Sequence, residues 1–318
     1  MEYLRKLYCR KGRGFIPCSL WLRIVPVIFL TAFLFLPSLT FGDWSPLIGR
    51  LVADGFDESA IRFLFSRPDV RFDPIAMSSK IEELIKFASK KPGGPPSYNS
   101  KAVYKGFLKE RVITRALSYL RENIDLLEKI SSEYCVPKEI VVSILLVETR
   151  LGDFLGAKWA FNSLASMALC TNFETIRPHL PKKLVGPQNE LFAKTVCRQK
   201  ADWAYDELKA LILYSYWNEF DPLSLPGSLY GAIGLCQFMP SNVLVYGVDA
   251  DNDGRIDLFT KLDALHSTAN YLRGHGWKCT MDRDSQLQVI LEYNKSLVYA
   301  NTVLAVAEKL KSKPRTKQ

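Results

Sequence analysis

The sequence predicts a mainly α-helical protein. Apolar residues recur at helical spacing through most of the chain, and sustained period-two alternation is nearly absent. Prolines fall at clear breakers, such as KPGGPPSYNS at 91–100, or at first helical positions, such as Pro137. A chain of 318 residues, 48% hydrophobic and 24% charged, is long enough for one large domain or a domain with a smaller lobe.

Residues 1–42 stand apart from that core. Arg5, Lys6, Arg10, Lys11 and Arg13 form a basic start, and Ile24 to Gly42 is uncharged. This pattern fits a secretion signal. A retained anchor is the alternative, because 19 uncharged residues can just span a bilayer. Pro26 and Pro37 interrupt the apolar run and favour cleavage. On either reading the rest of the chain is exported, to the periplasm or to a membrane anchor facing it. Residues 1–42 carry +5 of the formal +9, leaving +4 beyond them. That mild basicity suits an anionic envelope polymer or lipid surface, and export argues against nucleic acid.

From Trp44 to about Lys91 the spacing predicts short amphipathic helices, which with the 91–100 linker form an N-terminal segment, 43–100, ahead of a domain at 101–318. KGFLKERVITRALSYLRENIDLLEKISSEYC reads as one long helix, with Leu117, Leu120, Ile124, Leu127 and Ile130 on one face. KEIVVSILLVETRLG follows Pro137 and is apolar almost all round, which predicts a buried central helix. Residues 170–200 hold three prolines and read as an insertion or lid. A helix in ADWAYDELKALILYSYWNEF, a loop, a short helix after Met239-Pro240, an acidic loop at 249–263 and terminal helices complete the chain. The basic tail, Lys309 to Lys317, reads as a solvated end.

Beyond the leader remain Cys135, Cys170, Cys197, Cys236 and Cys279, with no zinc-like spacing. Export permits disulfides. Cys170 and Cys197 bracket a loop-like stretch and are the first expected pair, although spacing alone does not fix the pairing. With three histidines, a Cys/His nucleophile or a His-rich metal site has little to draw on.

Glu148 closes the apolar run from Ile140 to Val147, in which only Ser143 is polar. A carboxyl on such a helix is desolvated, which favours its neutral form and suits proton donation to a glycosidic oxygen. From this helix alone, a solvent-facing Glu paired with Arg150 is the simpler reading.

Two further motifs change the balance. Val136-Pro137 leads into Glu148-Thr149-Arg150-x-Gly152; Gly227-Ser228-x-x-Gly231-Ala232-x-Gly234-x-x-Gln237-Phe238-Met239-Pro240-Ser241 follows; Tyr293-Asn294 comes last. In this order they resemble the membrane-bound lytic transglycosylase B family, relatives of goose-type lysozyme, across roughly residues 100–310. The resemblance implies a lysozyme-like helical domain with a cleft, a small inserted lobe with an EF-hand-like loop, and cleavage of the bond between N-acetylmuramic acid and N-acetylglucosamine.

It also implies roles. Glu148 falls on the catalytic glutamate and Ser228 on the serine that orients it. Gln237, Tyr271, Tyr293 and Asn294 fall on cleft positions. A hydroxyl serves either protonation state of a carboxyl, amides match acetamido groups, and tyrosine offers a stacking face with a polar tip. The family's cleft-wall arginines lack a clear counterpart, with only Arg198 near the expected place.

Asp249, Asp251 and Asp253 at relative positions 1, 3 and 5, with Gly254 at 6, form an EF-hand-like pattern that predicts structural Ca2+. Arg255 would offer its backbone carbonyl. Thr260 replaces the position-12 glutamate, and Asp263 is the candidate to close the site. No organic cofactor is expected, and the protein is read as a monomer acting on peptidoglycan glycan strands.

The reaction so implied uses one carboxyl twice, as acid and then as base, and closes a 1,6-anhydro ring on the muramic unit. A hydrolytic muramidase would need a second carboxylate, for which Asp153, Glu174 and Asp202 are candidates. A non-catalytic glycan-binding envelope protein is the alternative from another class, and a calcium-responsive interaction protein is a third.

Overall fold

The computed structural model describes residues 43–89 and 101–312. The expected leader, the 91–100 linker and Lys313, Arg315 and Lys317 lie outside them. Among the described residues, thirteen α-helices and two very short strands surround one contiguous hydrophobic core. The chain is mainly helical, as its periodicity predicts.

Three helices begin the described chain: α1 (Ser45–Ala53), α2 (Glu58–Ser66) and α3 (Ile75–Ser89). Asp57 caps α2 by accepting the Ala60 N–H at 2.8 Å. Helices α1 and α3 both pack on α7 (Ala160–Leu169), and α3 also packs on α9 (Pro187–Trp217). The segment 43–89 therefore shares the core of the residues that follow.

The stretch read as one long helix is broken. A 3-10 turn at Lys105–Leu108 leads to α4 (Glu110–Glu122) and α5 (Ile124–Tyr134), separated at Asn123. Asn123 leaves helical geometry (φ −119, ψ 26), and its amide donates to the Tyr119 carbonyl at 2.7 Å. An Asn side chain that replaces a helical hydrogen bond ends the helix, although the apolar period continues across it.

After Cys135 in the left-handed region (φ 60), α6 (Lys138–Thr149) runs through the protein. Ile140 to Leu146 are all buried, Ser143 included, because α13 (Leu297–Ser312) and α4 pack on it from different sides.

Residues 170–200 are not an open lid. A short α8 (Phe173–Ile176) and a 3-10 turn lead into α9, which starts at Pro187 and runs for 31 residues. The three prolines mislead the sequence reading because none falls inside the helix: Pro178 and Pro181 precede it and Pro187 occupies its first position. Ala193, Val196, Cys197, Ala201 and Ala204 continue one buried stripe across the expected boundary.

Strand β1 (Lys158–Trp159) pairs antiparallel with β2 (Pro226–Gly227), Lys158 opposite Gly227. Helices α10 (Pro240–Tyr246), α11 (Lys261–Gly274) and α12 (Arg283–Tyr293) follow before α13. No helix among the described residues is long and apolar enough to cross a membrane.

The disulfide differs from expectation. Cys135 bonds Cys279, tying the end of α5 to the chain after α11. Cys170 and Cys197 are free and buried. Their thiols donate instead to carbonyls, Cys170 to Ser166 at 3.2 Å and Cys197 to Cys170 at 3.0 Å.

Candidate active site

Glu148 sits one residue before the end of α6. There Thr149 donates to the Leu235 carbonyl at 3.0 Å and accepts the Gly152 N–H at 3.1 Å. These bonds fasten the helix end to the loop between β2 and α10, and so fix where the glutamate points. Arg150 and Leu151 turn through the left-handed region (φ 54 and 64), and Gly152 follows at φ +100.

The Glu148 side chain keeps some exposure, but protein atoms crowd its carboxyl. Burial pushes its pKa up to about 7, and a hydrogen bond from Tyr299 partly opposes the rise. Tyr299 donates to Glu148 Oε1 at 2.6 Å and is itself 4% exposed. Tyr293 stacks parallel to Tyr299, at 6.4 Å between centroids, and donates to the Cys236 carbonyl at 2.6 Å. Burial pushes the Cys236 thiol up to about 12, and burial with the nearby Glu148 charge holds Tyr293 and Tyr299 well above the usual phenol range. The carboxyl thus has neutral, weakly acidic neighbours, and the alternative pair with Arg150 does not form: Arg150 is exposed. An acid with a pKa near 7 can both give and take a proton at neutral pH.

No hydrogen bond joins Ser228 to Glu148 among the described residues. Its Oγ accepts the N–H groups of Tyr230 (3.3 Å) and Ala232 (3.0 Å), which shapes the glycine-rich turn. A Ser two to four residues before those donors satisfies its own turn first. The orienting contact comes from Tyr299, which lies beyond the last motif. Its signal in the sequence is slight: a tyrosine beside Asn301 and Thr302 in the otherwise apolar stretch 297–307.

The loop from Gly227 to Pro240 folds back on itself through the bridges Gly227 to Ile233 and Ile233 to Phe238. Close approach requires glycine at Gly156, where a Cβ would stand 1.9 Å from the Gly227 carbonyl oxygen. Gln237 occupies the left-handed region (φ 50), and its amide donates to the carbonyls of Leu155 (3.2 Å) and Gly234 (2.9 Å). Its side-chain carbonyl has no partner among the described residues.

Of the other residues assigned to the cleft, Tyr271 is buried. It donates to the Glu292 carbonyl at 2.9 Å and packs edge-on against Tyr293 at 4.9 Å, so it supports that ring. Asn294 is exposed, and its Oδ1 accepts the Ser296 N–H at 3.2 Å. Arg198 is exposed on α9 with no ion pair among the described residues. Asp153, Glu174 and Asp202 are each ion-paired, with Arg115, Arg177 and Arg50.

The acidic loop gathers three carboxylates. Oxygens of Asp249, Asp251 and Asp263 lie within 4.8 Å of one another. Backbone N–H groups hold them: Asp253 and Gly254 donate to Asp249, while Ala250 and Asp257 donate to Asp263. Asp263 is 2% exposed, and burial, then the carboxylates of Asp251 and Asp249, raise its pKa. All-oxygen donors at this spacing fit a Ca2+ shell, whose opposite ligands stand about 5 Å apart. Asp253 lies outside this group, and its Oδ1 accepts the Arg255 N–H at 2.8 Å. Arg255, expected to offer a carbonyl, is fixed through its guanidinium to Glu219. Thr260 caps α11, which brings Asp263 into the helix's first turn and up to the loop.

Residues 43–284 match the family described as the transglycosylase SLT domain. Over 223 residues the chain is 29% identical to the membrane-bound lytic murein transglycosylase B of Escherichia coli K12, covering 70% of this chain and 54% of that protein. The chain thus matches about half the length of that relative. Among solved structures, the soluble lytic transglycosylase SltB1 from Pseudomonas aeruginosa superposes with a TM-score of 0.61 at 23% identity, covering 85% of this chain and 98% of its own. The Escherichia coli lytic transglycosylase Slt35, determined in complex with calcium, gives a TM-score of 0.62 at 22% identity, covering 86% and 93%.

Proposed function

The chain belongs to the transglycosylase SLT domain family, and from that premise we propose that it is a lytic transglycosylase of peptidoglycan with Glu148 as its acid and base. One observation carries the reading: a carboxyl with its pKa raised to about 7 and a tyrosine hydroxyl fixed on one oxygen. The transglycosylase relative from Escherichia coli, named for murein, supports the substrate.

In its neutral form Glu148 donates a proton to the glycosidic oxygen as the bond from muramic C1 to that oxygen breaks. Tyr299 occupies Oε1, which leaves Oε2 for the proton that moves. The substrate's acetamido group stabilises the cation at C1. The carboxylate then takes the proton of the muramic C6 hydroxyl while O6 bonds C1. Glu148 is neutral again, and no water enters. Ring closure within one sugar gains from proximity. Gln237, Tyr293, Asn294 and Arg198 are proposed as substrate contacts, with Ser228 shaping the glycine-rich loop that carries Gln237.

A hydrolytic muramidase is disfavoured because Asp153, Glu174 and Asp202 each serve an ion pair. Asp249, Asp251 and Asp263 would hold Ca2+ as a structural ion that pins the acidic loop to α11. The reading implies a periplasmic location, with residues 1–42 as leader or anchor. Product analysis of digested peptidoglycan tests it: 1,6-anhydromuramic ends support the transglycosylase, and muramic ends that have gained water support the muramidase.

A further inference from the structure

Glu207 lies in α9 and is 6% exposed, and no Lys, Arg or His pairs with it among the described residues. Burial pushes its pKa up, and two hydrogen bonds from Ser241 oppose the rise. Ser241 engages both oxygens: its N–H donates to Oε2 at 2.9 Å and its hydroxyl to Oε1 at 2.8 Å. An apolar side chain at this place would avoid the penalty of burying a carboxyl. What the carboxyl holds therefore has to account for it.

Ser241 is the second residue of α10. Met239, just before that helix, offers no side-chain cap, and Pro240 at its first position has no N–H. Ser241 thus carries the first orphan donor of the helix, and Glu207 supplies from α9 the acceptor that a Ser or Asp cap supplies locally. Gln237, Phe238 and Met239 run directly into this anchored start. Ile233 and Phe238 exchange both backbone hydrogen bonds, at 2.8 and 3.0 Å, and close the turn that contains Gln237. Gln237 lies there in the left-handed region (φ 50), which a residue with a Cβ enters only at an energetic cost. The turn keeps that shape because the Ile233 pair closes it and the Glu207 cap fixes the chain that leaves it. Phe238, 2% exposed, extends the same anchor toward Glu148: it packs on Tyr293 at 5.7 Å, Tyr293 stacks on Tyr299, and Tyr299 donates to the carboxyl.

We propose that Glu207 is a positioning residue of the active site: through Ser241 it fixes the chain leaving the Gln237 turn, and so presents the Gln237 side-chain carbonyl to the glycan. It touches no substrate itself. The inference rests on Gln237 being a substrate contact. A double-mutant cycle tests it on peptidoglycan, well below the melting temperature of every variant. Glu207→Ala should lower kcat/KM about tenfold, and Glu207→Ala with Gln237→Ala should fall no lower than Gln237→Ala alone, within about twofold. Glu207→Gln should restore the rate, because its carbonyl accepts the Ser241 N–H and its amide donates to the Ser241 hydroxyl oxygen. Should Glu207→Ala fail to fold, Ser241→Ala takes its place in the cycle, with a loss of about threefold that also vanishes beside Gln237→Ala. Losses that multiply in the double variant, a lowered melting temperature with unchanged kcat/KM, or no rescue by Glu207→Gln would overturn the proposal. The same cycle, read as Kd for the tetramer of N-acetylglucosamine in the chain carrying Glu148→Gln, separates positioning from cleavage. Affinity losses that do not add, in a chain that cleaves no glycan with Glu148 intact, would retain the positioning role and refute the enzymatic reading.

Discussion

Tyr299 on α13 donates its hydroxyl to Oε1 of Glu148 on α6 across 2.6 Å, while burial pushes that carboxyl up to about 7. The two effects oppose each other, and their balance sets the working pH of the site. The phenol favours the carboxylate, so Tyr299→Phe should raise the Glu148 pKa and move the alkaline limb of the pH–rate profile, where the acid loses its proton, upward, with a fall in kcat larger than any rise in KM. An unmoved limb would count against the phenol as the tuning group. The ring stays in Tyr299→Phe, so packing is retained.

The same pKa predicts how stability varies with pH. Glu148 holds its proton to about pH 7 when folded but only to about 4.5 when unfolded. Between those values the folded state binds more protons, so the contribution of Glu148 to stability falls as pH rises through this window. Glu148→Gln cannot titrate. Its melting temperature relative to wild type should therefore climb from pH 4.5 to 7 and level off above. A difference independent of pH would mean that the carboxyl is not desolvated.

Chelation tests the acidic loop. A cation bound by the folded state alone stabilises it by about 3 kcal/mol at a hundredfold excess over Kd. EDTA should lower the melting temperature by several degrees, and Asp249→Asn or Asp263→Asn should remove that response. Asp253→Asn should keep most of it, since Asp253 stands outside the converging carboxylates.

Peptide mapping of the oxidised chain should recover Cys135 linked to Cys279, with Cys170, Cys197 and Cys236 alkylated only after unfolding. Cys135→Ser should cost about 2–5 kcal/mol of stability, because it frees a long loop in the unfolded chain. A recovered Cys170–Cys197 peptide would contradict the pairing.

What was legible in the sequence was what local pattern governs. The apolar surround of Glu148 announces a buried helix, and α6 is one. The register of Asp249, Asp251 and Gly254 announces a wound loop, whose backbone bonds are present. What failed depends on distant contacts. The partner of Glu148 lies 151 residues away, and Cys135 and Cys279 meet across 144 residues of chain. Asn123 breaks a helix that apolar periodicity continues, because one side-chain hydrogen bond decides it. At α9, prolines suggested a loop where they only mark a helix start.

Mass spectrometry of peptidoglycan digested by the wild type, beside Glu148→Gln, tests the central claim most directly. We predict that the wild type releases fragments ending in 1,6-anhydromuramic acid, that none takes up labelled oxygen from water, and that Glu148→Gln loses at least about 10³-fold in rate while remaining folded. Reducing muramic ends carrying the label, or anhydro ends made at an undiminished rate by Glu148→Gln, would contradict it.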